Sequence, residues 1–193
     1  MKHNSVRRII VGVSGASGSA YAFALMRALS ATADVETHLV LSKQAPLTIA
    51  LEMPTQNASD LEQLADVVHR ESDLAASISS GSFKTDGMVV IPCSIKTASS
   101  IAYSFNDNLI ARAADVCLKE RRKLVLVVRE TPLHLGHLRT LTQLAEIGAV
   151  ILPPVPGMYA RPQSVEDILN HTVGKVLDQL GVENELFTRW RSS

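Results

Sequence analysis

Five short runs of reactive residue types stand out in the chain, and each directly follows a run of β-branched or aliphatic residues. Ser14, Gly15 and Ser17 follow residues 9–13, and Ser42 and Lys43 follow 35–41. Cys93, Ser94, Lys96 and Thr97 follow 87–92, and Arg129 and Glu130 follow 124–128. Pro153 and Pro154, leading to Tyr159, follow 149–152. Hydroxyls, a lysine and an arginine beside small residues suit a phosphate monoester, which needs donors aimed at its oxygens and positive charge to balance its own. Arg129 and Glu130 are the sharpest pair. Neighbours leaving a strand project to opposite faces, so an arginine for phosphate would stand beside a carboxylate able to give or take a proton. Plainer readings exist for each run. Ser94 or Thr97 could be only a helix N-cap, and Arg129 with Glu130 only an ion pair. Cys93 has no histidine near it in sequence and reads as a buried, inert thiol.

These runs need elements to hold them. Residues 9–13 are a strand, and Gly12, Gly15 and Gly18 turn the chain into an apolar helical pattern at Tyr21, Phe23, Leu25 and Leu29. The spacing is G-x-x-G-x-x-G, not the G-x-G-x-x-G of dinucleotide folds. It predicts a βα turn whose helix N-terminus suits an anion or another polar ligand. Strands are expected at 35–41, 87–92, 124–128 and 149–152, and the unbroken apolar runs at 87–92 and 124–128 suit parallel strands covered on both faces. Helical patterns lie over 43–53, from Ser59 to about His69, through about Tyr103, from Asn108 onward, over 135–147 ending at Gly148, and from Ser164 to Gly181. A short helix and a loop are expected over 71–83. Strands alternating with helices predict an α/β chain: a Rossmann-like (flavodoxin-like) three-layer fold with a parallel sheet and helices on both faces. All five polar runs would then lie at the carboxyl ends of the strands, where such sheets bind ligands.

Composition sets the outer limits. The chain has 193 residues, 46% hydrophobic and 20% charged, with formal net charge zero and 4% aromatics. That balance gives no case for nucleic acid or an anionic membrane surface. No linker or repeat appears, so one flavoprotein-type domain over 1–193 is expected, with 1–7 and 183–193 as terminal extensions. The basic start precedes only five apolar residues, too few for a signal h-region or a membrane span. The expectation is therefore a cytoplasmic protein. The six histidines show no H-E-x-x-H spacing, and Cys93 and Cys117 form no ligand pattern, so no metal is expected.

Four blocks in order, spanning nearly the whole chain, resemble the UbiX family of flavin prenyltransferases, long described as aromatic-acid decarboxylase subunits. They are Val-Ser-Gly-Ala-Ser-Gly at 13–18; Pro-Cys-Ser-Ile-Lys-Thr at 92–97; Leu-Lys-Glu-Arg-Arg at 118–122 with the strand and Arg-Glu-Thr-Pro-Leu through 133; and Pro-Pro-Val-Pro at 153–156 leading through Tyr159 to Arg161 and Pro162. The resemblance implies an enzyme that joins dimethylallyl monophosphate to reduced FMN at N5 and C6. The product, prenylated FMN, would serve a UbiD-type decarboxylase. It also implies chemistry without a metal, in keeping with the lack of a D-D-x-x-D motif, and homo-oligomers, usually dodecamers, with active sites at subunit boundaries.

Residue by residue, the resemblance implies that Gly15, Ala16, Ser17, Ser42, Ser94, Ile95, Lys96, Thr97 and Arg129 contact FMN. Lys119, Arg129, Tyr159 and Lys175 would hold the allylic phosphate, some from neighbouring subunits. Glu130, Ser17 and Lys119 would carry the catalysis, with Ser17 near the flavin N5 and Glu130 managing protons at ring closure. An aromatic that shelters the allylic group is expected near Phe83, with Trp190 a second candidate. Ile95 stands where the family has methionine, Lys175 where some relatives have arginine, and residues 134–139 depart from the usual pattern.

Three other readings share parts of this evidence. An FMN-dependent decarboxylase of the peptidyl-cysteine type needs a Pro-x-Met-Asn block, which is absent. A short-chain dehydrogenase needs a lysine four residues after a tyrosine, and Tyr21, Tyr103 and Tyr159 have none. A non-catalytic FMN carrier or accessory subunit would leave Lys119, Glu130, Tyr159 and Lys175 without work.

Overall fold

Residues 6–190 are described by the computed structural model; the outermost parts of the expected extensions, 1–5 and 191–193, lie outside the described residues. Six strands form one parallel sheet: β1 (Arg7–Val13), β2 (Val35–Leu41), β3 (Val67–Arg70), β4 (Gly87–Cys93), β5 (Lys123–Val128) and β6 (Val150–Ile151). Their spatial order is β3-β2-β1-β4-β5-β6, the Rossmann order. Without the short edge strand β3, the remaining five stand in the flavodoxin-type order, so both halves of the expected description apply.

The helices are α1 (Ser19–Ser30), α2 (Ala45–Glu52), α3 (Ala58–Glu62), α4 (Ile95–Ala102), α5 (Leu109–Lys119), α6 (Leu135–Glu146) and α7 (Val165–Leu180). Strand periodicity sorts them into two layers. On β5, Val125 and Val127 join Phe23, Met26, Ile49 and Val176 from α1, α2 and α7, whereas Leu124, Leu126 and Val128 join Ile101, Ile110 and Leu144 from α4, α5 and α6. Both faces of β5 are thus covered, which is why its sequence is apolar at successive positions. Each fully buried Leu or Ile contributes about 1.5–3 kcal/mol. No helix among the described residues is long and apolar enough to cross a membrane.

Two expected helices differ from the structure. The helix from Ser59 to His69 ends at Glu62, and His69 belongs to β3. Its cap is Asn57, whose side chain accepts the amides of Ser59 and Asp60 while Asp60 accepts the Asn57 amide. The cause of the break lies outside the segment. The Asp66 carboxylate accepts the Thr37 amide at 2.7 Å and hydroxyl at 2.9 Å, and the Asp66 amide donates back to the Thr37 hydroxyl. These bonds draw the chain onto β2, where the β-branched Val67 and Val68 pair with His38 and Leu39. Leu61, Leu64, Ala65 and Val68 mimic a helical stripe, and periodicity cannot see Thr37. Over 71–83 the expected helix shrinks to a single 3-10 turn at Ser77–Ser79.

Candidate functional site

The loops leaving β1 and β4 are joined by Ser14. Its hydroxyl, buried, donates to the Pro92 carbonyl at 2.7 Å and accepts the Ser94 amide at 2.9 Å and the Ala16 amide at 3.3 Å. The next residue must be glycine, since a Cβ at Gly15 would lie 2.5 Å from Gln44 Cβ. The Gly15 carbonyl accepts the Thr48 hydroxyl at 3.0 Å. Residues from three βα connections are thereby brought together.

The N-terminus of α1 is closed by the chain itself. Glu52, the last residue of α2, accepts the Gly18 amide at 3.0–3.1 Å and the Ser19 amide at 2.8 Å, and the Ser17 hydroxyl also donates to it. Burial pushes the Glu52 carboxyl up, but these donors outweigh burial and hold it below its ordinary value. Gly18 takes φ +112°, a left-handed value that glycine tolerates and other residues rarely adopt.

The N-terminus of α4 is open. Ser94 caps it, accepting the Thr97 amide at 3.2 Å and meeting the Thr97 hydroxyl at 3.1 Å. The amides of Ile95 and Lys96 have no acceptor among the described residues. In front of this turn lies a cleft of about 400 Å³ lined by Gly15, Ser42, Lys43, Gln44, Ser94, Lys96 and Thr97, with Glu71, Ser72, Ser100, Asp107 and Asn108 completing its walls. The Ser42 hydroxyl is buried and has no hydrogen-bond partner among the described residues. A buried hydroxyl without a partner costs about 1–3 kcal/mol. Together with two open amides, the Lys96 ammonium and the α4 dipole, it makes a socket for a phosphate.

The other expected site residues fall in four places. Ala16 and Ser17 lie in the loop after β1 and Ile95 opens α4, all next to residues that line the cleft, and Ser17 is exposed. Arg129 and Glu130 leave β5 beside Cys93, with the Arg129 amide on the Cys93 carbonyl at 3.0 Å, and both side chains are exposed at the same sheet edge. They form no ion pair with each other. Tyr159, in the 3-10 turn Met158–Ala160, and Lys175, on α7, belong to a separate cluster: the Tyr159 hydroxyl meets His171 Nε2 at 3.1 Å, and Lys175 Nζ stands 5.9 Å from the Phe187 ring centre. Lys119 ends α5 and pairs with Glu120 at the opposite, amino edge of the sheet. One chain therefore does not unite the cations expected around the allylic phosphate.

Phe83 does not border the cleft. It is half-buried, 5.3 Å edge-on from His38, with the Arg8 guanidinium 5.0 Å over its ring. Trp190 packs edge-on against Tyr159 at 5.5 Å. The Cys93 thiol is fully buried and pushed up to about 12, as expected of an inert thiol. Among the described residues no group of three or more His, Cys, Asp or Glu side chains is arranged to hold a metal ion.

Glu52 was missed as part of the site, and Ser14 was placed at the ligand edge without its role of tying the two loops together. Ser14 carried a weak signal, as a hydroxyl ending an apolar strand. Glu52 carried none, because its partners lie more than thirty residues away in sequence.

Comparison with known proteins bears on the same residues. The Flavoprotein family model matches residues 1–177. The flavin prenyltransferase UbiX of Escherichia coli (strain K12) is 57% identical over 190 residues, covering 97% of this chain and all of the relative. A dodecameric FMN-dependent UbiX-like decarboxylase from Escherichia coli O157:H7 superposes with TM-score 0.93 at 50% identity, covering 96% of this chain and all of the other. AnUbiX (PadA1), solved in complex with FMN and dimethylallyl pyrophosphate, superposes with TM-score 0.91 at 47% identity over 97% of this chain and 98% of its own. Across the full sheet, the strand-exit loops and the sequence, the chain belongs to the UbiX family of flavin prenyltransferases.

Proposed function

We propose that this chain is a flavin prenyltransferase that joins dimethylallyl monophosphate to reduced FMN at N5 and C6, making prenylated FMN for a UbiD-type decarboxylase. The observation that carries the reading is the open socket: a buried Ser42 hydroxyl without a partner among the described residues, in the same cleft as Ser94, Lys96 and Thr97, at a helix N-terminus whose Ile95 and Lys96 amides the Ser94 cap leaves open. These residues fit the phosphate of FMN, with the Ile95 and Lys96 amides and the nearby Arg129 completing the donor set. When bound, FMN supplies the nucleophilic N5 and C6 of its reduced ring system.

The chain's own residues do the rest. Gly15, Ala16 and Ser17 let the flavin approach the loop closely. Ser17 would present its hydroxyl to the reacting edge of the flavin, with Glu52 orienting that hydroxyl by accepting its hydrogen. Glu130, exposed and without an ion pair among the described residues, would move the proton at ring closure. A monophosphate leaves poorly unless its growing charge is met, and Lys119, Arg129, Tyr159 and Lys175 would meet it without a metal ion. Lys119 stands at the amino edge, Lys175 on α7 and Tyr159 in the 3-10 turn Met158–Ala160 beside it, so these groups converge only when another copy of the chain supplies some of them. A homo-oligomer, read as a dodecamer, satisfies this. The reading takes 1–193 as one domain working in the cytoplasm, in keeping with two free, buried cysteines.

The test is anaerobic incubation of the purified protein with reduced FMN and dimethylallyl phosphate, followed by mass spectrometry of the flavin. A flavin carrying one added five-carbon unit is expected. Flavin returned unchanged would overturn the reading and leave an FMN carrier.

A further inference from the structure

His171 has no role in the site described above, yet it touches the one phenol assigned to the allylic phosphate. We propose that His171 is a positioning residue for Tyr159: its Nε2–H donates to the phenolic oxygen, which turns the phenol's own hydrogen toward the allylic phosphate. Affinity for that substrate, and not for FMN, then depends on it. The proposal rests on the reading of Tyr159 as a phosphate ligand.

Four observations support it. First, Tyr159 needs a holder, because it is 45% exposed and sits in a single 3-10 turn, Met158–Ala160, reached through a proline-rich run. Second, the hydroxyl lies 3.1 Å from His171 Nε2, and the rings meet edge-on with centres 5.6 Å apart. Third, the space for the imidazole is built in, since a Cβ at Gly157 would lie 2.6 Å from Nε2. Fourth, the far side of the ring is braced edge-on by Phe187 at 5.0 Å. A tyrosine on a short turn is thus held by a histidine that is itself fixed from two sides.

The groups facing His171 are Tyr159 and Gly157 from the turn, Phe187 from the tail and Lys175 one turn along α7. Beyond them, Asp178 and Arg189 neutralise each other in a two-pronged ion pair. Burial, then the Lys175 charge, holds His171 below the ordinary histidine value, so its ring is neutral near pH 7. Labour is divided accordingly: Lys175 supplies charge and His171 supplies direction.

The experiment measures KM for dimethylallyl phosphate at saturating reduced FMN, together with FMN affinity, in four proteins besides the wild type. His171→Phe keeps the ring and removes the nitrogen; KM should rise about fivefold, the worth of one hydrogen bond, with FMN affinity within twofold. His171→Gln places an amide where Nε2 stood and should restore KM to within twofold of wild type. In a Tyr159→Phe background, His171→Phe should add nothing, because the bond is already gone. His171→Met replaces the Phe variant if that one fails to fold. An unchanged KM in the folded His171→Phe or His171→Met protein, no rescue by Gln, or an additive double variant would each overturn the proposal. A wild type that makes no prenylated flavin would instead overturn the function on which it rests.

Discussion

The first turns of α1 and α4 follow adjacent strands, open on the same sheet edge and are tied together by Ser14. The α1 turn holds the glycines and looks, in sequence, like an anion cradle. Its Gly18 and Ser19 amides are spent on Glu52, a carboxylate of the same chain. The α4 turn has no glycine, and its cap, Ser94, satisfies only the Thr97 amide. Two amides, Lys96 and the unpartnered Ser42 hydroxyl remain for a ligand. Helix N-termini carry the same dipole wherever they occur, so what separates these two is whether a distant carboxylate reaches the turn. The glycines answer a packing demand: Gly15 makes room for Gln44, and Gly18 takes a left-handed turn.

Charge reversal in the open turn should break this asymmetry most severely. Lys96 is exposed, so Lys96→Glu should fold normally while FMN affinity falls by about thirtyfold or more, read by fluorescence titration. Ser94→Ala comes next, with about tenfold loss of FMN affinity and about 1 kcal/mol of stability from the lost cap, read by titration and by denaturant melts.

The closed turn should behave in the opposite sense. Glu52→Gln should cost about 1 kcal/mol of stability while FMN affinity changes less than threefold. A collapse of FMN binding to the Lys96→Glu level would show that the two turns are not distinct. Acid sharpens the point. Because Glu52 titrates lower in the fold, its stabilisation is fully present above about pH 4.5, its ordinary value, and is lost as pH falls through the lower folded value. The Glu52→Gln protein should therefore show a shallower fall of Tm on acidification below that pH. Ile95→Met, a volume-conserving change beside the open turn, should have the smallest effect: FMN affinity within twofold and stability within about 1.5 kcal/mol.

Much of this was legible before the fold was known. Apolar runs gave five of the six strands, and the hydroxyl and cationic residues after them border or adjoin one edge. Ser94 proved to be both the helix cap and a wall of the cleft. The short strand β3 was not legible, because Asp66 and Thr37 decide it from separate elements. Nor was the fate of Phe83, which pairs with Arg8 and His38 instead of facing the ligand edge.

The sequence by itself determined the alternation of strands and helices, the edge on which the polar exits gather, and the family. Periodicity and short motifs are local and survive without coordinates. Tertiary structure alone decided which helix N-terminus stays open, that Lys119 lies across the sheet from the cleft, and that His171 reaches Tyr159. Each of those outcomes is a contact between residues that the chain separates and only packing brings together. Hydrogen bonds and screened charges act over a few ångströms, so spacing along a chain does not encode them.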